Sequence, residues 1–379
     1  MMQWIKPGTK IDFVGQMKIW VGVSLALMTI SFISLVLKDL NYGIDFAGGT
    51  ELLVKFEKPV SSADVRSVVV EQGFGKNVVQ TVREGDRDYF LVRVESFSSL
   101  SGEQAKEIKS KLSAALGPEV LKRFRFGSET GDKIEIKLSR QAAPGEMAAV
   151  FAKIGVPDAQ VRPDGKPGDN QYLVILTGIA KKIEKALAAR FAGNAIGILR
   201  VEAVGPQVGK QLRTDGFLAI VYSIIAILIY VALRFDIRFS PGAVLSLVHD
   251  AVIIIGVFNV LNFEFDMTVL AAVLTLMGYS INDTIVVYDR IRENLPKYRN
   301  STLSEVVNLS VNETLSRTLM TSFTVLLVAG SLLFIGGHSL FGFAFAMFFG
   351  IVTGTYSSVF IAAPVTIALE NWYKRVRKA

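Results

Sequence analysis

The segment "MGYSINDTIVVYDRIREN" (277–294) begins as apolar, membrane-like sequence and ends basic, and it carries a carboxylate, Asp283, in its apolar part. Three other ionisable side chains are similarly placed. His249 and Asp250 fall near the middle of the apolar run 241–260, and Arg317 opens the run 318–335. An ionisable group inside a membrane is costly and normally faces a bundle interior or a wet cavity, which makes each a candidate site. Ser280, Asp283 and Val287 share one helical face, with Tyr279 one turn before the carboxylate. Desolvation favours the neutral form of such a carboxyl group, and a nearby guanidinium favours the charged form. Movement of Arg317 relative to Asp283 would then load and release a proton, and His249 could extend the relay because imidazole titrates near neutrality. A competing reading makes Asp283 and Arg317 a fixed pair that only joins two helices. His249, Asp250 and Arg317 each also have a structural reading, Arg317 as a simple anchoring charge.

These residues need helices to hold them. A span takes roughly 20 mainly apolar residues, and six segments qualify, at about 18–37, 214–233, 241–260, 267–287, 318–335 and 342–368. The first ends in "SLVLKDLNYG", without a small-residue cleavage site, and reads as an uncleaved anchor. Orientation follows from Lys and Arg in the short loops. Lys6, Lys10 and Lys18, Arg234 and Arg238, the loop 288–317, and Lys374, Arg375, Arg377 and Lys378 all fall on one side; "NFEFD" and "GGHSLFG" on the other have none. Both termini are therefore expected in the cytoplasm, with residues 39–213 outside. The net charge of +7 is then largely membrane anchoring, and nucleic-acid binding is not expected.

Residues 39–213 alternate strand-like and helix-like patterns. "ELLVKFEKP", "KNVVQTV", "YFLVRV" and "LKRFRFG" read as strands, and "SSADVRSVVVEQG" and "SGEQAKEIKSKLSAALG" as amphipathic helices opened by Ser and closed by Gly. The order βαββαβ is that of a ferredoxin-like unit. The pattern then recurs: Val54 falls on Ile136, Lys55 on Lys137, Asp64 on Glu146 and Gly73 on Gly155, at an offset of about 82 residues. The expected fold is thus an α-helical polytopic membrane protein of six spans with an α+β ferredoxin-like external domain, duplicated in tandem. The expected domains are 1–38, 39–213 with repeats over about 44–127 and 131–205, and 214–379. A sheet edge on such a unit could bind an extended chain by strand addition.

Several chemistries are excluded. The chain has no cysteine, so disulfides and thiolate metal sites are ruled out. It has no G-x-x-x-x-G-K-[ST] phosphate loop and no G-x-S-x-G nucleophile motif. His249 and His338 are the only histidines, too sparse for zinc. No enzymatic reaction, metal or cofactor is expected; an ion gradient or a partner would supply the energy. Gly350-xxx-Gly354, Gly256 and Gly278 suggest close helix contacts, and "STLSEVVNLSVNETLSRTL" reads as an amphipathic connector at the membrane surface.

"NYGIDFAGGTELLV" after the first span, "VEAVGPQVG" before the second, "LVHD" in the third, "MGYSINDTIVVYDRIREN" across the fourth and "LSRTLMTS" entering the fifth together resemble the SecF family. That family belongs to the Sec protein-export machinery and is related to RND transporters. The resemblance implies an RND-like half-bundle in the bacterial inner membrane, completed by SecD, working with the SecYEG translocon and YajC on a translocating preprotein. SecA acts indirectly, by pushing the preprotein in with ATP, and the proton-motive force then draws it outward. The family's membrane acid matches Asp283 and its basic partner Arg317. Asp45, Gly48, Gly49, Gly205, Gly209, Asn282, Asp289 and Arg290 fall in the motifs as structural positions, the glycines shaping the joint between external domain and membrane. One departure stands out: the external segment is about twice the usual length. An RND-type exporter of small molecules or lipids and a non-coupling scaffold are the alternative readings.

Overall fold

The computed structural model describes residues 10–84, 87–98, 100, 102–117, 119–126, 132–166, 168–235 and 239–376. Lys6, Arg238, Arg377, Lys378 and the expected repeat boundaries at 127 and 131 lie outside the described residues. Two compact units form, Ile44–Arg213 on its own, and the segment up to Gly43 together with the chain from Thr214 onward.

Helix α1 (Phe13–Leu37) belongs to the second of these. The first begins with a short turn of helix, α2 (Ile44–Ala47), and continues β1 (Gly49–Phe56), α3 (Ser62–Glu71), β2 (Asn77–Glu84), β3 (Arg87–Val94), α4 (Gly102–Leu116), β4 (Leu121–Phe126), β5 (Lys133–Leu138), α5 (Pro144–Lys153), β6 (Gln160–Asp164), β7 (Gln171–Ile175), α6 (Ile179–Arg190) and β8 (Ile196–Val204). The expected start signals are present: Ser61 caps α3 by accepting from the Asp64 N–H, and Pro144 sits in the first turn of α5. Strand alternation also holds. In β5, Ile134, Ile136 and Leu138 are buried between more exposed residues.

Two antiparallel four-stranded sheets result, in the orders β2-β3-β1-β8 and β4-β5-β7-β6. From its other edge the second sheet runs β6-β7-β5-β4, so the two have matching ferredoxin-like orders. Helices α3 and α6 bury Val65, Val68, Val69, Ile179, Ile183 and Leu187 against the first sheet. Helix α4 buries Ile108 and Leu112, and α5 Met147 and Phe151, against the second. This corrects the expectation of two consecutive units over 44–127 and 131–205. The elements α4 and β4, expected to complete the first sheet, complete the second, while α6 and β8 return to close the first. The continuous stretch α4 to β7 is one unit inserted between β3 and α6. Its two ends meet at Asp132, which accepts from Ser98 Oγ at 3.2 Å through its side chain and from the Leu176 N–H at 2.7 Å through its carbonyl.

The other unit contains α1, most of α7 (Pro206–Arg234, continuing out of the Ile44–Arg213 unit), α8 (Ser240–Val260), α9 (Met267–Asn294), α10 (Leu303–Ile335), α11 (His338–Ser357) and α12 (Ala363–Val376). A π turn, Ser358–Ala362, joins α11 and α12, and among the described residues six segments are long and apolar enough to span a membrane. Helices α8 and α9 and the α11–α12 span are the most buried, whereas α1 and α7 are peripheral. Helix α1 buries Met17, Ser24 and Ser31, one residue every second turn, and Ser31 lies where a Cβ on Gly256 of α8 would sit. Both ends of α1 are held by asparagines. Asn308 and Asn312 of α10 bond the backbone of Ile11 and Phe13, while Asn259 of α8 donates to Ser34 Oγ and the Lys38 carbonyl at 3.1 Å.

Two helices are longer than the apolar runs suggest. The segment expected as an interfacial connector is the first half of α10, opened by a capping box between Thr302 and Glu305. Arg317 therefore lies inside a continuous helix rather than at its start. Likewise α9 continues to Asn294, well beyond the apolar run, because its last turns bury Val287, Tyr288, Ile291 and Asn294.

The inserted unit should fold alone. A fragment of residues 95–178 is expected to unfold cooperatively by circular dichroism, and Leu112→Ala to destabilise it by about 2–5 kcal/mol through the cavity left against β4 and β5. Consecutive units would leave α4 without its sheet in this fragment, and the substitution would then have no effect.

Candidate functional site

Asp250, near the middle of α8, is 3 % exposed and is surrounded by donors. Its Oδ2 accepts from Ser280 Oγ of α9 at 2.6 Å and from Ser357 Oγ at the end of α11 at 2.8 Å. Its Oδ1 lies 3.0 Å from His249 Nδ1. One carboxylate thus joins three helices. Gly354 makes room, since a Cβ there would stand 3.0 Å from Ser280 and 3.6 Å from Asp250 Oδ2. Ser357 immediately precedes the π turn, the kind of local helix irregularity frequent at functional sites. His249 Nε2 is buried without a partner, and the imidazole packs beside Tyr356 at a centroid distance of 6.2 Å. Tyr356 in turn bonds Ser24 Oγ at 2.6 Å and the Trp20 carbonyl of α1.

Asp283 is placed quite differently. It is 4 % exposed, one turn beyond Ser280 on α9, and its Oδ2 is buried with no hydrogen-bond partner. Arg317 of α10 is near enough to act on it electrostatically, yet the two form no ion pair. The fixed Asp283–Arg317 pair considered from the sequence is therefore not the arrangement found. The hydroxyls of Tyr279 on α9 and Thr318 beside Arg317 on α10 are also buried without partners. Such unsatisfied groups each cost about 1–3 kcal/mol. Two carboxylates thus share one bundle, the first saturated with donors and the second lacking them. Among the described residues, no group of three His, Cys, Asp or Glu could hold a metal ion.

Several other motif positions make packing, ion-pair or hydrogen-bond contacts. Tyr288, fully buried, donates to the Ala362 carbonyl of the π turn at 3.2 Å and accepts from Thr366. Asp289 pairs with Arg234 of α7 and with Arg292; Arg290 pairs with Glu293 and with Glu313 of α10. Asn282 is exposed. Gly48 and Gly49 have φ of 76° and 127°, which favours glycine. A Cβ on Gly48 would approach Pro206, and one on Gly209 would approach Gly48 N at 3.0 Å and the Phe46 and Asp45 carbonyls. Gly205 accepts from the Gly209 N–H at 2.9 Å. The first turn of α7 thus rests backbone to backbone on the α2–β1 turn. Gly350 faces Leu276, as the close-contact expectation requires, but Gly278 has nothing within 4 Å and makes no such contact.

The profile of "Protein export membrane protein SecD/SecF, C-terminal" matches residues 183–372, and that of the "SecD/SecF GG Motif" matches 33–60. The chain belongs to the SecD/SecF protein-export family. The protein translocase subunit SecF of Pseudomonas aeruginosa is 36 % identical over 366 residues, which cover 97 % of this chain and 93 % of that one. The SecF of Magnetococcus marinus is 36 % identical over 374 residues, covering 99 % and 96 %. The crystal structure of SecDF, a translocon-associated membrane protein from Thermus thermophilus, superposes with a TM-score of 0.66 at 31 % identity and covers 96 % of this chain. The chain spans 39 % of that SecDF. This SecD/SecF-family chain is therefore a membrane protein of Sec-associated protein translocation. Its inserted unit falls wholly between the two profile matches.

Some functional neighbours escaped the sequence reading. Ser357 and Glu313 are ordinary polar residues whose importance comes from the partner across the helix contact. The Gly354–Ser357 spacing, which puts a small residue and a serine one turn apart on one helical face, was the available signal for the first. A methyl group at Gly242 would meet Tyr288 Oη at 2.5 Å and the Ala362 carbonyl at 2.7 Å. Gly242→Ala is therefore expected to destabilise the bundle by about 1–3 kcal/mol, read as a lower thermal unfolding midpoint in detergent.

Proposed function

We propose that this chain is the SecF half of a SecD–SecF assembly that uses the proton-motive force to promote late steps of preprotein export. It would sit in the bacterial inner membrane with both termini cytoplasmic and residues 39–213 outside, beside SecYEG and YajC, taking over a chain pushed in by SecA. No enzymatic reaction and no cofactor enter. The SecD partner is supported by the Thermus thermophilus SecDF chain, of which this one spans 39 %; the orientation is supported by the basic residues gathered at one end of the bundle.

The observation that carries the coupling is the contrast between the two carboxylates. Asp250 has its donors in place and serves as a fixed anchor of α8, α9 and α11. Asp283 has a buried oxygen without a donor, within the field of a guanidinium that does not bond it. A proton is the smallest ligand that satisfies that oxygen, and gaining or losing it changes the attraction between α9 and α10. Those helices move relative to each other as a result.

The test is export of a reporter preprotein into inverted vesicles carrying SecD and this chain, with ATP saturating. With wild type, an imposed proton gradient is expected to accelerate late translocation; with Asp283→Asn, the gradient should have no effect. An equal response in the two would make Asp283 a structural residue and the chain a scaffold.

A further inference from the structure

Helices α9 and α10 run antiparallel, and their contact at the basic end of the bundle is bonded more firmly than the middle. Asn294, 2 % exposed, donates to Ser310 Oγ at 3.1 Å and to Glu313 Oε2 at 2.7 Å. The Arg290 Nε lies 2.7 Å from the same Glu313 carboxylate. Ser310 is fully buried, so the Asn294–Ser310 bond lies within the packed contact, with the partly exposed Arg290–Glu313 pair at its rim, and together they fix how far α10 extends along α9.

That register has a consequence for the two residues farther along. Asp283 is eleven residues from Asn294, about 16 Å along α9 at 1.5 Å per residue. Arg317 is five to six residues from the centre of the Ser310–Glu313 contact, about 8 Å along α10. The Arg317 backbone therefore stops about 8 Å short of the level of Asp283. A side-chain Cβ on a helix also tilts toward the helix N-terminus, which in α10 is away from Asp283. This explains why the guanidinium influences the carboxylate without reaching it. Glu313 is one turn from Arg317 on α10, and Arg290 is two turns from Asp283 on α9, so the bonded contact and the open one lie on the same seam.

We propose that Glu313 is a positioning residue: held by Arg290 and Asn294, it sets the register of α10 against α9 and keeps Arg317 short of Asp283. The proposal rests on the proton-coupled reading above and deepens it. An Asp283–Arg317 pair that closed fully would be hard to open by protonation, whereas a held separation leaves the carboxyl group free to exchange its proton. Among the described residues, the charged and titratable groups on this seam and the helices packed against it include Arg317 from α10, the His249–Asp250 pair of α8 linked to α9 through Ser280, Tyr356 of α11 beside His249, and Tyr279 on α9 itself.

The experiment measures gradient-driven export as a function of pH in vesicles carrying SecD with wild type, Glu313→Gln, Glu313→Asp or Asp283→Asn. Release of the register lets Arg317 approach and hold the Asp283 carboxylate. Glu313→Gln is therefore expected to shift the profile by about one pH unit toward acid, a tenfold change in proton concentration. Glu313→Asp, which keeps the charge, should restore the wild-type profile. A merely structural glutamate would lower the amount of protein in the membrane and leave the profile of the remainder in place. Superposition of the Glu313→Gln and wild-type profiles, with Asp283→Asn unresponsive, overturns the positioning role alone. A gradient response by Asp283→Asn equal to wild type overturns the coupling reading and this proposal together. If Glu313→Gln fails to accumulate, Arg290→Gln cuts the same bond from α9 and is judged by the same outcomes.

Discussion

A carboxylate enclosed by helices in a membrane has no water to satisfy it, so it must find donors, find a counter-charge, or take a proton. The bundle contains one carboxylate with its donors, Asp250 on α8, and one without, Asp283 on α9, a single turn beyond the serine that serves the first. Asp250 takes donors from α9, from the end of α11 and from its own neighbour, and the elements around it are shaped to allow this. Gly354 removes a side chain so that Ser280 can reach, the π turn follows the serine of α11, and Tyr288 bonds the Ala362 carbonyl within that turn. Asp283 has none of these supports. Its isolation is built by the same packing that satisfies Asp250, because Ser280 is committed to the neighbouring carboxylate and Arg317 is held at a distance. Strong attachment holds α9 against α8 and α11, while its contact with α10 is bonded at the basic end and open at Asp283.

Much of this was legible in the sequence because periodicity and cost are local properties. Apolar runs located the six spans; the rarity of membrane charges marked Asp283, Asp250, His249 and Arg317; and the resemblance to the SecF motifs singled out Gly48 and Gly209. Partner identity was not local. The alternation in "LKRFRFG" shows which face of β4 turns inward, and says nothing about which sheet it joins. Since the two sheets have the same strand order, β4 and β8 suit either one, and only the packing of α4 against β4 and of α6 against β1 and β8 decides. The same limit explains Glu313 and Ser357, whose roles lie across a helix contact. The length of α10 was readable: Thr302 and Glu305 have the capping-box spacing, and the polar composition of the following turns obscured it.

The inserted unit also bears on how the chain reaches its folded state. Pairing β1 with β8 joins segments separated by more than a hundred residues, and most of the intervening chain is the insertion. Its own strands are close in sequence, so it can form early, as topologies with local contacts do. Once formed, it brings Ser98 and Leu176 to the same aspartate, and the loop that must close between β3 and α6 shrinks to a few residues. Reducing a loop about tenfold in length lowers the entropic cost of closure by about 2 kcal/mol. In kinetic terms, the insertion shortens the search of the domain that contains it.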